Sequence, residues 1–220
     1  MISSNSELYS TECDLSNQST VIMDIERTRN PIKKHKELAE KIMTLFCKTH
    51  HIKYKQGLNE IVSPFISLYK QNNEFDDFQI YNWFTRFMHV FLPTFYSDPD
   101  FLSLQWSLGL FELLLKYHDP EIAIYLRNCK ISSDIYAYNW LITLFASKLP
   151  LDLTYTLWDF IIQEGDWMMI FYLSTAFVIY HRQQIFSAEE YYLPQTMTNL
   201  TLKSKEDVYD IFVRAIELRK

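Results

Sequence analysis

Only three of the 220 residues are glycine, at positions 57, 109 and 165. A chain of this length with average composition carries about 15. Phosphate-binding loops need clustered glycines so that the backbone can approach the nucleotide, and tight hairpins need glycine at positive φ. Three scattered glycines favour neither, so we expect neither a nucleotide-binding loop nor a hairpin-rich sheet.

Apolar residues instead recur at the spacing of an α-helix through most of the chain. Hydrophobic residues make up 48% of the sequence and aromatic residues 16%. Residues 1–20 contain six serines and few large apolar side chains, which predicts a loose polar tail. We therefore predict one all-α domain of about nine helices over residues 21–220. The clearest stripes are Ile80, Phe84, Phe87 and Phe91; Leu104, Leu108, Phe111 and Leu115; and Val208, Ile211, Phe212 and Ala215.

Helix-terminus signals agree with this pattern. Asp98-Pro99 and Asp119-Pro120 each place a capping carboxylate before a proline at the first helical position. Ser204 is placed to begin the last helix, and Gly165 to end one at positive φ.

Charge and cysteine content restrict the partners and the compartment. The net charge is −6, without the basic footprint of a nucleic-acid-binding protein, so no nucleic-acid partner is expected. The longest apolar run, residues 167–180, is too short for a membrane span and predicts a buried core helix. Three widely spaced cysteines without a CxxC motif indicate neither disulfides nor a zinc site. Because no secretory signal is recognisable either, we expect a cytoplasmic protein.

Two polar segments interrupt the helical pattern. In VIMDIERT, residues 21–28, Asp24 and Arg27 are three apart and can share a helix face, so that a carboxylate could hold the arginine while its guanidinium reaches outward. An ordinary surface ion pair explains the same spacing. In YKQGLNE, residues 54–60, Gly57 lets the backbone turn directly after Gln56, and Asn59 can cap the next helix. An ordinary interhelical loop explains this segment equally well.

Together the two segments resemble the TBC domain family, the Rab GTPase-activating proteins. The first segment resembles the family motif I-x-x-D-x-x-R-T, with Val21 in place of Ile, and the second resembles Y-x-Q-G-M-N, with Leu58 in place of Met. A later stretch is similar to the family's W-x-x-x-x-F…LWD…G region. It comprises Trp140, Phe145, the Leu157-Trp158-Asp159 triplet and Gly165. The resemblance covers roughly residues 21–185.

The resemblance implies a regulator of an enzyme that supplies catalytic groups in trans. By that resemblance Arg27 is the arginine finger and Gln56 the glutamine finger, which replaces the water-orienting glutamine of the GTPase. Arginine fingers accelerate GTP hydrolysis by about 10³–10⁵-fold. Asp24 and Thr28 would support Arg27, whereas Tyr54, Gly57 and Asn59 would support Gln56. Trp140, Trp158 and Asp159 are expected to be scaffold.

The resemblance also implies the partner. It would be a Rab-family small GTPase in its GTP-bound state, which brings GTP and Mg²⁺, so the chain needs no cofactor of its own and no direct membrane span. Recruitment to endomembranes, and a role in vesicle trafficking, would come through the Rab. Only about 20 residues precede the first motif, so we expect a shortened N-terminal subdomain.

Two other hypotheses stay open at this point. One is a non-catalytic module of the same fold that binds a GTPase or another protein as a scaffold. The other is a generic helical scaffold in which the motif matches arise by chance.

Overall fold

The structure is a computed structural model that describes residues 12–28, 35–71, 75–94, 96, 98 and 102–220. Within these ranges the regular structure is helical and contains no strand, which confirms the predicted all-α class. The chain forms two compact units, residues 1–99 and 100–220.

The first unit contains four α-helices among its described residues. Helix α1 packs against α2 and α3, and α4 packs against α2 and α3. In the core between these helices, the Phe84 ring of α4 makes edge-on contacts with Phe46 of α2 and Phe65 of α3. The ring centroids are 5.1 Å and 6.0 Å apart, respectively. The helices are α1 (Gln18–Arg27), α2 (Lys36–Thr49), α3 (Leu58–Gln71) and α4 (Asp77–Phe91).

The second unit is built around α10, nine of whose twelve residues are buried. This helix packs against α5, α8, α9, α11 and α13, which confirms that the apolar run of residues 167–180 is mainly a core helix. The helices are α5 (Leu102–His118), α6 (Pro120–Asn128), α7 (Ser133–Tyr136), α8 (Tyr138–Thr143), α9 (Leu151–Glu164), α10 (Met169–Tyr180), α11 (Arg182–Phe186), α12 (Leu193–Asn199) and α13 (Lys205–Leu218). A 3-10 turn, Glu190–Tyr192, precedes α12. In the part of the chain that the structure describes, no helix combines the length and the apolar character needed to cross a bilayer.

Three of the terminus signals are confirmed. Asp119 caps α6 by accepting a hydrogen bond from the Ile122 N–H, with Pro120 at the first helical position. Ser204 and Asp207 form a reciprocal capping box at the start of α13. Gly165 ends α9 at φ 62°. The Asp98-Pro99 signal falls partly outside the described residues.

The described residues contain thirteen α-helices, more than the nine predicted. One source of the difference is that apolar spacing continues through residues at which a helix ends. Residues 133–143 form two short helices, and α8 is followed by Leu144 and Phe145, which have left-handed backbones at φ 46° and 66°. Apolar periodicity cannot detect this break, because Leu144 and Phe145 are themselves buried, as are the apolar side chains before and after them.

The predicted boundary of the polar tail lies inside the first helix. Helix α1 begins at Gln18, and the segment before it is attached to the unit, because Lys48 donates a 2.7 Å hydrogen bond to the Glu12 carbonyl. Residues 1–11 lie outside the described residues.

Candidate functional site

The site begins at the C-terminal end of α1. Val21, Asp24 and Ile25 form the buried face of this helix, and Arg27 is its last residue. Thr28 ends the helix: its N–H and its hydroxyl both donate to the Asp24 carbonyl, at 3.0 and 2.8 Å. The helix therefore presents Arg27 at the surface, directly beside a fully buried threonine.

The second segment forms the turn that leads into α3. Gly57 has φ 109°, a backbone conformation that side-chain-bearing residues strongly disfavour. Tyr54, Gly57 and Leu58 are buried around this turn, whereas the side chain of Gln56 is exposed. As with Arg27, the flanking residues are fixed while the side chain itself faces solvent.

The Asn59 side chain joins the two segments. Its Nδ2 donates to Thr28 Oγ1 at 2.8 Å and approaches the Asp24 carbonyl at 3.4 Å, while its Oδ1 accepts the Gly57 N–H at 3.1 Å. One buried amide thus binds the residue that follows Arg27 and the residue that follows Gln56. Asn59 was predicted to cap α3; its side chain instead connects α1 with the turn before α3.

Asp24 takes a different role from the predicted one. Its side chain is 5% exposed, and Oδ2 accepts a 2.9 Å hydrogen bond from the Tyr54 hydroxyl. Among the described residues, no ion pair joins Asp24 to Arg27. The reason is tertiary packing: the Asp24 carboxylate is buried and hydrogen-bonded to Tyr54, whereas the Arg27 side chain is exposed. Asp24 therefore orders the segment through Tyr54 and does not hold the guanidinium.

The Tyr54 hydroxyl is a permanent donor in this network. It lies 3.3 Å from Asn59 Oδ1, farther than from the Asp24 carboxylate, which is therefore the main acceptor of its single proton. Burial, followed by the negative charge of Asp24, raises the pKa of Tyr54 well above its usual range. The phenol stays protonated at neutral pH, so the buried carboxylate keeps its hydrogen bond.

One residue of this arrangement was not predicted from the sequence. Asn17, in the predicted polar tail, donates from Nδ2 to the Tyr54 carbonyl at 2.9 Å and so ties the start of α1 to the Gln56 turn. Thirty-seven positions separate the two residues. An asparagine in a serine-rich stretch has no periodicity or motif that indicates such a contact.

The predicted scaffold residues lie in the second unit. Trp140 and Trp158 are buried, and the Trp158 indole N–H donates to the Leu144 carbonyl at 2.8 Å. Trp140 stacks on Phe145 at 5.7 Å between ring centroids. These contacts hold the left-handed turn after α8, as expected for scaffold residues, while Asp159 is exposed.

Comparison with known proteins places the chain in a family. The sequence model of the Rab-GTPase-TBC domain family matches residues 2–186. A TBC domain-containing protein kinase-like protein of Dictyostelium discoideum is 30% identical over 109 residues, which are 50% of this chain and 10% of that protein. The mitotic check point protein BUB2 of Saccharomyces cerevisiae is 28% identical over 136 residues, 62% of this chain and 42% of BUB2.

A solved structure has the same fold. The crystal structure of the Ypt/Rab-GAP domain of Gyp1p superposes with a TM-score of 0.77 and 15% sequence identity, over 92% of this chain and 73% of that one. The chain spans less than half of the length of the two curated relatives named above, 10% of the Dictyostelium protein and 42% of BUB2. With the family model matching more than four fifths of its residues, the chain belongs to the Rab-GTPase-TBC domain family.

Proposed function

We propose that this chain is a GTPase-activating protein for a Rab-family small GTPase in its GTP-bound state. Arg27 would enter the partner's active site as an arginine finger and Gln56 as a glutamine finger. The observation that carries the proposal is the Asn59 amide, which binds Thr28 and Gly57, the next neighbours of the two fingers. A rigid buried link with two exposed polar side chains beside it suits insertion into a second protein.

Each finger has a defined chemical task. The guanidinium of Arg27 would neutralise the charge that develops on the transferring phosphoryl group, and the amide of Gln56 would orient the attacking water. Arg27 has no ion pair among the described residues, so no internal carboxylate must be displaced before it binds phosphate oxygens. Asp24, Thr28, Tyr54, Gly57 and Asn59 would be positioning residues.

The surface around Arg27 also suits a protein partner. Ile22 and Met23, on the exposed side of the same helix, are 45% and 48% exposed. Exposed aliphatic side chains beside an uncompensated arginine are typical of protein interfaces, whose cores are depleted of other charges but enriched in Met and Arg. The partner would bring the nucleotide and Mg²⁺, and it would bring the chain to the endomembrane where that Rab resides.

The test is single-turnover GTP hydrolysis across a panel of Rab proteins, with the chain present in catalytic amounts. We expect acceleration of at least one Rab, and loss of about 10³-fold or more of that acceleration in Arg27→Ala. Arg27→Lys should also fail, because an ammonium lacks the planar fork that bridges two oxygens. Gln56→Ala should reduce the rate without abolishing binding of the GTP-bound Rab.

Matched controls come from exposed residues of the same types. Arg86→Ala and Gln163→Ala remove exposed side chains elsewhere and should leave the acceleration unchanged. If no Rab is accelerated, and a Rab is captured equally in its GDP and GTP states by wild type and Arg27→Ala, the chain is the non-catalytic binding module instead.

A further inference from the structure

A cavity of about 320 Å³ lies in the second unit, between α5, α6 and α7. Its volume is at the lower end of the range of about 300–1,000 Å³ that small-molecule sites occupy. Much of its wall is aliphatic, and the side chains that form this part are Leu115, Ala123, Ile124, Leu126 and Ile131. We call it the α5–α6 cavity. The proposed GTPase-activating site does not use it.

Three cationic side chains line the same cavity. Lys116 comes from the last turn of α5, Arg127 from the last turn of α6, and Lys130 from the loop after α6. All three are exposed, and none belongs to an ion pair among the residues that the structure describes. The second unit is therefore locally positive here, although the whole chain has a net charge of −6.

The cavity remains positive after the nearby negative charge is considered. Its lining contains one carboxylate, Glu112, whose Oε1 already accepts a 2.6 Å hydrogen bond from the Ser133 hydroxyl. The C-terminal ends of α5 and α6 each contribute roughly half a negative charge, which Lys116 and Arg127 offset. Three full positive charges exceed these contributions by about one charge. Two of the cations, Lys116 and Arg127, lie at helix C-terminal ends and offset the helix dipoles. Lys130, the third cation in the cavity wall, lies in the loop after α6.

A buried tyrosine adds a neutral donor to the wall. Tyr136 is 5% exposed and lines the cavity. Its ring is fixed edge-on against Phe111 at 6.0 Å and tilted against Trp140 at 5.3 Å. Burial and the charge of Glu112 raise its pKa, so the hydroxyl keeps its proton.

We propose that the α5–α6 cavity binds a small amphipathic anion. Its apolar group would occupy the aliphatic part of the wall, and its carboxylate or phosphate would be bound by Lys116, Arg127 and Lys130, with a hydrogen bond from Tyr136. The same chemistry is available from a free metabolite and from the headgroup region of an anionic lipid, so the experiment includes both sources.

The experiment titrates the full chain with octanoate and octyl phosphate in a calorimeter, using octan-1-ol as the uncharged analogue. We expect saturable one-to-one binding of both anions and binding of octan-1-ol weaker by about tenfold or more. Ala123→Trp, which fills the cavity, should abolish binding. Tyr136→Phe should weaken binding of the anions several-fold and leave that of octan-1-ol unchanged.

Charge is tested by two triple variants with the same net charge. Lys116→Gln/Arg127→Gln/Lys130→Gln should weaken anion binding by about tenfold or more. Lys203→Gln/Lys205→Gln/Arg214→Gln removes three exposed cations that do not line the cavity and should bind as wild type does. Thermal unfolding followed by circular dichroism verifies that each variant is folded, and the charge variants keep the test valid if Ala123→Trp does not fold.

Sedimentation with phosphatidylcholine vesicles that contain phosphatidic acid identifies the source. Binding to these vesicles that depends on the three cavity cations assigns the site to a lipid headgroup, and binding of free octyl phosphate alone assigns it to a soluble ligand. The proposal is overturned if neither anion binds, if octan-1-ol binds as tightly as octyl phosphate, or if the two triple variants lose affinity equally.

Discussion

The side-chain amide of Asn59 donates a 2.8 Å hydrogen bond to the hydroxyl of Thr28, 31 positions earlier in the chain. Both side chains are buried, and the same amide accepts the Gly57 N–H. The contact fixes the end of α1 against the turn that precedes α3. The residues beside Arg27 and Gln56 therefore determine how the two are placed relative to each other.

The first prediction concerns this amide. Asn59→Ala leaves the Gly57 N–H without its acceptor and the Thr28 hydroxyl without a donor, so the free energy of unfolding should fall by about 1–3 kcal/mol. Urea denaturation measures the change. Asn82→Ala removes an exposed asparagine of α4 and should change stability by less than about 0.5 kcal/mol. Equal effects of the two substitutions would contradict the role assigned to Asn59.

Replacing two different glycines with alanine should change the stability of the protein in opposite directions. Gly57 has φ 109°, so Gly57→Ala should destabilise the protein by about 1–3 kcal/mol through backbone strain. Gly109 lies within α5, and a Cβ added there meets no atom within 4 Å. Gly109→Ala should therefore stabilise by about 0.5–1 kcal/mol through helix propensity. Thermal unfolding midpoints of the two variants provide the comparison, and a neutral Gly57→Ala would contradict the need for glycine at the turn.

The third prediction concerns the left-handed turn after α8. Trp158→Phe keeps most of the buried ring but removes the N–H that donates to the Leu144 carbonyl, so stability should fall by about 1–3 kcal/mol. Trp167, which is half exposed, serves as the matched position. Chemical denaturation of Trp167→Phe should show a change within about 0.5 kcal/mol. A Trp158→Phe variant as stable as this control would mean that the hydrogen bond does not hold the turn.

The fourth prediction concerns pH. The rings of His50 and His89 are 4.7 Å apart between centroids. Burial, followed by the charges of His89 and His51, lowers the pKa of His50 below its usual value of 6.5. The unfolded chain therefore binds more protons than the folded one as the pH falls below about 6.5, and stability decreases through the lowered pKa.

Replacing His89 isolates this contribution. His89→Gln removes one of the repelling charges, so the loss of unfolding free energy between pH 7.5 and pH 5 should be smaller than in wild type. Urea denaturation at the two pH values measures that loss, and His50→Gln should reduce it further. An unchanged pH dependence in both variants would show that this pair does not couple to folding.

Much of the fold was predictable because its signals are local. The spacing of apolar residues and the scarcity of glycine predicted a helical protein. Asp119, Ser204 and Gly165 marked helix ends, because capping depends on groups within a few residues. The break at Leu144 and Phe145 was not predictable. Its left-handed backbone is held by packing and by the Trp158 indole, fourteen residues from Leu144.

The sequence by itself determined the helical class, the two polar segments and their likeness to a family, since these depend on residue type and spacing. Only the tertiary structure decided what the supporting residues do. Asp24 and Arg27 are three residues apart on one helix, but the Asp24 carboxylate is buried and bonded to Tyr54 while Arg27 is exposed, so a bond between Asp24 and Tyr54 takes the place of the expected pairing. Asn17, Thr28 and Asn59 acquire their partners only when distant segments pack, because a buried hydrogen bond is fixed by three-dimensional proximity and not by spacing along the chain.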